Sequence, residues 1–152
     1  MKNLKRIIFF NQVTGPLFQE LVLEISKYYL NRSLLITGSL DEPLTSKKVN
    51  IEIAPSYNRK NIFTKFISWF KYTLYSLGVI LKARKDDLIL ISSNPPILGL
   101  IIFPILKFKN LTYILLIYDI YPEVLIKAGL FSSNNLFVKL NFSIFLFKPI
   151  FE

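Results

Sequence analysis

Two hydrophobic runs in the second half of the chain, DLILISSNPPILGL and LTYILLIYDIYPEVLIKAGL, each stop at polar residues, and those stops carry most of the chemistry this sequence offers. Across residues 88–151 the only carboxylates are Asp119 and Glu123, both where the second run breaks off. The chain has no histidine and no cysteine. General-base chemistry therefore falls to Asp or Glu, and neither a thiolate metal site nor a disulfide framework can form. Asp119 is the candidate catalytic carboxylate; a helix cap ahead of Pro122, or a place in a solvated turn, is the plainer role beside it. Ser93 and Asn94 close the first run before Pro95 and Pro96, where they suit either a ligand hydroxyl or a helix cap. Glu123 joins them as a candidate cleft residue. No metal and no cofactor is expected.

A third candidate lies near the start, in QVTGP. The glycines, at 15, 38, 78, 99 and 129, are too far apart for a GxGxxG turn, and there is no GxxxxGK[ST] loop. Gly15, with Thr14 beside it, stands between a strand-like run and a helix start. A glycine there lets backbone come near a donor phosphate and aims amides at it; a structural turn is the plainer explanation.

The elements that must position these residues follow from periodicity. Residues 6–10 and 33–37 read as strands, and 49–54 alternate as a shorter strand nearer an edge. A helix is expected over about 17–29, with Phe18, Leu21, Val22, Ile25 and Tyr29 on one face. The longest helical pattern covers 61–82. There Phe63, Phe66, Phe70, Leu74, Leu77 and Leu81 share one face, and Thr64, Lys65, Ser68, Lys71, Tyr72 and Tyr75 share the other. Residues 88–91 and 111–118 are continuous apolar runs, as parallel strands covered on both faces require. The order β-α-β-β-α-β-α-β-α argues for an α/β fold: a Rossmann-like three-layer sandwich with a mostly parallel sheet and right-handed crossovers.

Composition narrows the partners. Apolar residues make up 52% of the chain, aromatics 15%, and the net charge is +9, which fits an anionic partner. Lysines and arginines are dispersed and no RNA-binding signature occurs, so nucleic acid is not expected. The uncharged stretch 88–106 is interrupted by SSNPP and Pro104, leaving pieces far short of the ~20 residues that span a bilayer. The apolar part of MKNLKRIIFFNQ is too short for a signal peptide, so a cytoplasmic chain is expected. Lys65, Trp69, Lys71 and Tyr72 suggest a surface resting on an anionic membrane, peripheral to the inner face of the cytoplasmic membrane; an ordinary solvated face is the alternative.

FFNQVTGPLFQEL, PSYNRK, SNPPILGL and YDIYPEVLIKAGLF together resemble the N-terminal half of bacterial family 4-like glycosyltransferases, retaining GT-B enzymes of surface polysaccharide and O-antigen synthesis. The resemblance implies two Rossmann-like domains facing a cleft, the first holding acceptor and the second the nucleotide-sugar. Residues 1–152 then form a single acceptor-side domain, with a lipid-linked or polysaccharide acceptor as partner. In that setting Asp119 orients or polarises an acceptor hydroxyl, Gly15 comes near the donor phosphates, and Asn94 and Glu123 line the cleft. Such enzymes carry, in the second domain, a pair of glutamates eight positions apart, and no Glu pair here has that spacing. The chain thus reads as half an enzyme, whether split gene, frameshifted remnant or fragment. It is expected to be inactive alone, with the donor domain missing or on another chain. The alternative is a non-catalytic membrane-associated interaction domain.

Overall fold

The computed structural model describes residues 5–29, 32–44 and 48–117. All but Ile117 belong to the first of the chain's two units, Met1–Leu116. The elements run β1 (Arg6–Phe10), β2 (Val13–Thr14), α1 (Pro16–Ser26), β3 (Ser33–Thr37), β4 (Ser39–Leu40), β5 (Val49–Ile53), α2 (Ile62–Lys82), β6 (Asp87–Ser92), α3 (Pro96–Phe108) and β7 (Thr112–Leu116).

Five strands form one sheet in the order β5-β3-β1-β6-β7, and every pairing is parallel. Counting only those five along the chain, the order is 3-2-1-4-5, that of a Rossmann-type sheet whose strand order reverses between the first and fourth strands. The short strands β2 and β4 pair in parallel outside this sheet, Val13 with Ser39 and Thr14 with Leu40.

Side-chain alternation along the strands divides the core in two. Ile8, Phe10, Ile36, Ile89 and Ile91 pack with Tyr72 and Ile80 of α2 and Leu98, Ile102 and Leu106 of α3. Ile7, Phe9, Leu35, Leu88 and Leu90 pack on the other side with Phe18 and Val22 of α1. The result is the expected three-layer α/β arrangement, with β1 and β6 in the middle and buried almost throughout. At the opposite edge from the strand tips, Arg6 clamps Asp87 through two hydrogen bonds of 3.0 and 2.6 Å, and Asp87 also accepts from the Arg84 amide at 2.8 Å. Strand β7 departs from expectation: it pairs with β6 alone among the described residues, and Ile114 and Leu115 are exposed.

The helix ends have local causes. Pro16 and Pro96 occupy the first turns of α1 and α3, where a missing amide proton costs nothing. Asn61 caps α2 in a reciprocal box with Thr64. Lys109 reaches back to the carbonyls of Ile80 and Ala83 at that helix's other end, at 3.2 and 3.0 Å. Helix α3 continues through Pro104 to Phe108, and Asn110 just beyond it, with a φ of 53°, lets the Leu111 amide bond the Leu106 carbonyl at 3.0 Å.

The largest correction concerns α2. The face of Phe63, Phe66, Phe70, Leu74 and Leu81 points outward, with all five between 50% and 71% exposed. Ser68, Tyr72, Thr73, Ser76 and Ile80 point inward. Tyr72 is therefore no membrane-surface residue: it is fully buried, and its hydroxyl donates to the Ile36 carbonyl at 2.8 Å.

Candidate functional site

In an open parallel sheet, ligands bind beyond the carboxyl ends of the strands where the strand order reverses. That place lies between β1, which ends in Asn11 and Gln12, and β6, which ends in Ser92, Ser93 and Asn94. The two tips are tied together, since the Gln12 amide donates to the Asn94 carbonyl at 3.1 Å. The Ser93 amide donates to the Leu116 carbonyl at 2.9 Å, which joins β7 to the same edge.

Gln12 is the hub of this crest. Its carbonyl accepts from the amides of Gly38 and Ser39 at 2.9 and 3.2 Å. Its side-chain Nε2 donates to the carbonyls of Ser68 and Pro55, at 3.0 and 3.4 Å. Two carbonyls facing the nitrogen fix which way the amide lies, so Oε1 points elsewhere. Oε1 is buried with no protein partner, and so is Oδ1 of Asn11. A buried acceptor without a donor costs about 1–3 kcal/mol, and a hydroxyl donor would relieve it.

Asn94 makes no side-chain hydrogen bond among the described residues and is half-buried. It does not cap α3, whose N-cap is Pro95 with no side-chain bond; the Asn94–Pro95 peptide is cis. Ser92 holds the turn, its hydroxyl bonding the Asn94 carbonyl at 3.2 Å. Ser93 is half-buried in the same turn. Helices α1 and α3 thus both start at this edge without a side-chain cap, each offering first-turn amides and the positive end of a helix dipole.

Of the residues expected near a phosphate, Gly15 caps α1 with extended backbone. A Cβ on it would stand 3.1 Å from Oδ2 of Asp41, so a carboxylate already lies against this helix start. Thr14 turns inward: its hydroxyl shares a 2.9 Å hydrogen bond with that of Thr37 and is fully buried. Strand alternation in β2 is the reason, and no phosphate reaches that hydroxyl. Asp119 and Glu123 lie outside the described residues. Lys71 is exposed, whereas Lys65 and Trp69 are half-buried in a cation–aromatic cluster. There the Tyr57 and Trp69 rings stack 6.3 Å apart, with Lys65 Nζ 5.9 and 5.6 Å from their centroids and Arg59 5.5 Å from that of Tyr57.

Asn11 and Gln12 were not visible as site residues from sequence. Their only signal is their place after the first strand, and that has meaning only once the strand order is known. Among the described residues no group of three acidic residues is placed to hold a metal.

The sheet order defines a Rossmann-like α/β domain, and its polar crest lies at the strand reversal, the place where open parallel sheets bind ligands. By distant homology it is a glycosyltransferase-related domain: the chain is 24% identical over 140 residues to "Probable glycosyltransferase WbjE" of Pseudomonas aeruginosa. The match covers 88% of this chain and 35% of that protein, so the chain spans about a third of its relative's length. No family model matches the chain, and no solved structure does.

Proposed function

We propose that this chain is the acceptor-side half of a glycosyltransferase that moves a sugar from a nucleotide-sugar to a lipid-linked or polysaccharide acceptor. The observation that carries the reading is the crest at the strand reversal, where the Asn94 side chain makes no hydrogen bond among the described residues and the strand tip tied to it holds two buried acceptors without partners, Oδ1 of Asn11 and Oε1 of Gln12. A polyhydroxylated ligand supplies donors and acceptors of the kind these groups lack. Asp119 is the proposed base that takes a hydrogen bond from the reacting hydroxyl, on the strength of the sequence alone. The nucleotide-sugar is held mainly by a second domain, as the share of the relative's length left unmatched allows.

The test is an NMR titration of the 152-residue chain, once with a lipid-linked saccharide and once with a nucleotide-sugar. The saccharide is expected to shift the amides of residues 11–15 and 92–94, and the nucleotide-sugar to shift them little. Shifts confined to other segments, or none with either ligand, reject the reading. They favour a non-catalytic interaction domain, for which the outward apolar face of α2 is the supporting observation.

A further inference from the structure

The outward face of α2 leaves Phe63, Phe66, Phe70, Leu74 and Leu81 in solvent along a helix of 21 residues, about 31 Å long. A soluble surface seldom keeps a stripe of that length and aromatic content without something to cover it. The charge carried by the helix and its approach is of one sign, the nearby carboxylate of Glu52 being held by the Tyr75 hydroxyl. Residues 54–85 contain no Asp or Glu, while Arg59, Lys60, Lys65, Lys71 and Lys82 lie on α2 or just before it. None of the five has an ion-pair partner among the described residues. An apolar stripe bordered by cations that make no ion pair among the described residues, with Trp69 half-buried beside Phe66 at a ring distance of 5.2 Å, is the pattern of a helix lying in a membrane interface. None of the described helices is long and apolar enough to cross the membrane.

We infer that α2 docks flat on an anionic phospholipid surface through this apolar stripe, with the cations meeting headgroup phosphates. Charge complementarity selects the occupant: a protein or nucleic-acid partner would need to match both the cations and a solvent-facing row of Phe and Leu. The orientation has a consequence for the crest. Strands β5 and β6 are parallel, so α2 between them runs back from the carboxyl edge of the sheet, and its first turns lie where Ser68 meets Gln12. A docked α2 therefore lies along the membrane from the carboxyl edge to the amino edge of the sheet, with its first turns on the crest's side. The inference does not rest on the sugar-transfer reading.

Trp69 is the only tryptophan, so its fluorescence reports on α2 alone. The experiment measures binding of the 152-residue chain to phosphatidylcholine vesicles with and without phosphatidylglycerol, and quenching of Trp69 by brominated acyl chains in the same vesicles. Binding is expected to be at least about tenfold stronger on the anionic vesicles, to fall as salt is added, and to quench Trp69. Phe66→Ser with Phe70→Ser is expected to weaken binding about tenfold or more, with an unchanged circular dichroism spectrum because neither ring is in the core. Three results would each overturn the inference. One is equal binding to neutral and anionic vesicles. Another is binding that leaves Trp69 unquenched, which places the contact elsewhere on the chain. The third is a dimer that the double variant splits, with no vesicle binding by the wild type, which makes the stripe a protein interface.

Discussion

A single phenol ties α2 to the backbone of β3. Tyr72 is fully buried, and its hydroxyl satisfies a carbonyl, that of Ile36, which also accepts from the Asn11 amide at 3.2 Å. Tyr72→Phe leaves that carbonyl one donor and is expected to cost about 1 kcal/mol in urea denaturation. Burial pushes the phenol's pKa far above its ordinary 10.0. The folded state therefore holds the neutral form, and the associated stability is complete below about pH 10. It falls as the pH rises above that value, because the unfolded chain ionises there and the folded chain does not. Wild type should thus lose stability above pH 10 more steeply than Tyr72→Phe, and one tyrosine should ionise only with unfolding. A spectrophotometric titration in which all eight tyrosines ionise while the fold persists would contradict this.

At the scale of elements, the crest and α2 each rest on a backbone device. A Cβ at residue 38 would lie 2.7 Å from the Pro55 carbonyl oxygen, 2.9 Å from Ser56 Cα and 3.0 Å from the Gln12 carbonyl oxygen. All three are backbone atoms that cannot swing aside. Gly38→Ala should therefore cost about 2 kcal/mol or more, visible as a lowered urea midpoint. Asn61 begins α2 with a 2.8 Å bond from the Thr64 amide to its side chain. Asn61→Ala is expected to cost about 1 kcal/mol, and Asn61→Asp almost nothing; equal losses in the two variants would remove the cap from the account. The boundaries of α2 and of the first two long strands could be read from the sequence, since Asn61 and the period of apolar residues mark them locally. Which face of α2 is inward could not. Apolar residues are normally the buried ones, yet here Ser68, Thr73 and Ser76 face in and let the helix come close to the sheet. Small polar residues at helical spacing look the same in sequence whether packed or solvated. The candidate site was legible to the same degree: Asn94's place at a strand's end could be read locally, whereas Gln12's place in the crest depended on contacts with Ser68, Pro55 and Gly38, which are distant in sequence.

At the scale of the whole molecule, sugar transfer needs two substrates held with reacting atoms about 3 Å apart, in the order of magnitude set for well-oriented reactions. The crest offers groups for one of them, and the chain spans 35% of a relative described as a probable glycosyltransferase. We therefore predict no measurable transfer by the 152-residue chain with any nucleotide-sugar and acceptor; robust turnover would overturn the proposed division between acceptor and donor halves. Joined to a donor-binding domain, the chain should turn over, and Asp119→Asn then separates two roles for that residue. Asparagine keeps the shape of aspartate and loses its charge. A carboxylate that accepts a hydrogen bond from the reacting hydroxyl gives up about 100- to 10,000-fold in kcat on this change, with donor affinity and melting temperature nearly unmoved. A carboxylate that only caps a helix is replaced almost freely, because Asn and Asp cap about equally well. Wild-type kcat in the Asn variant would assign Asp119 to the helix and leave the chemistry to the crest and the donor domain.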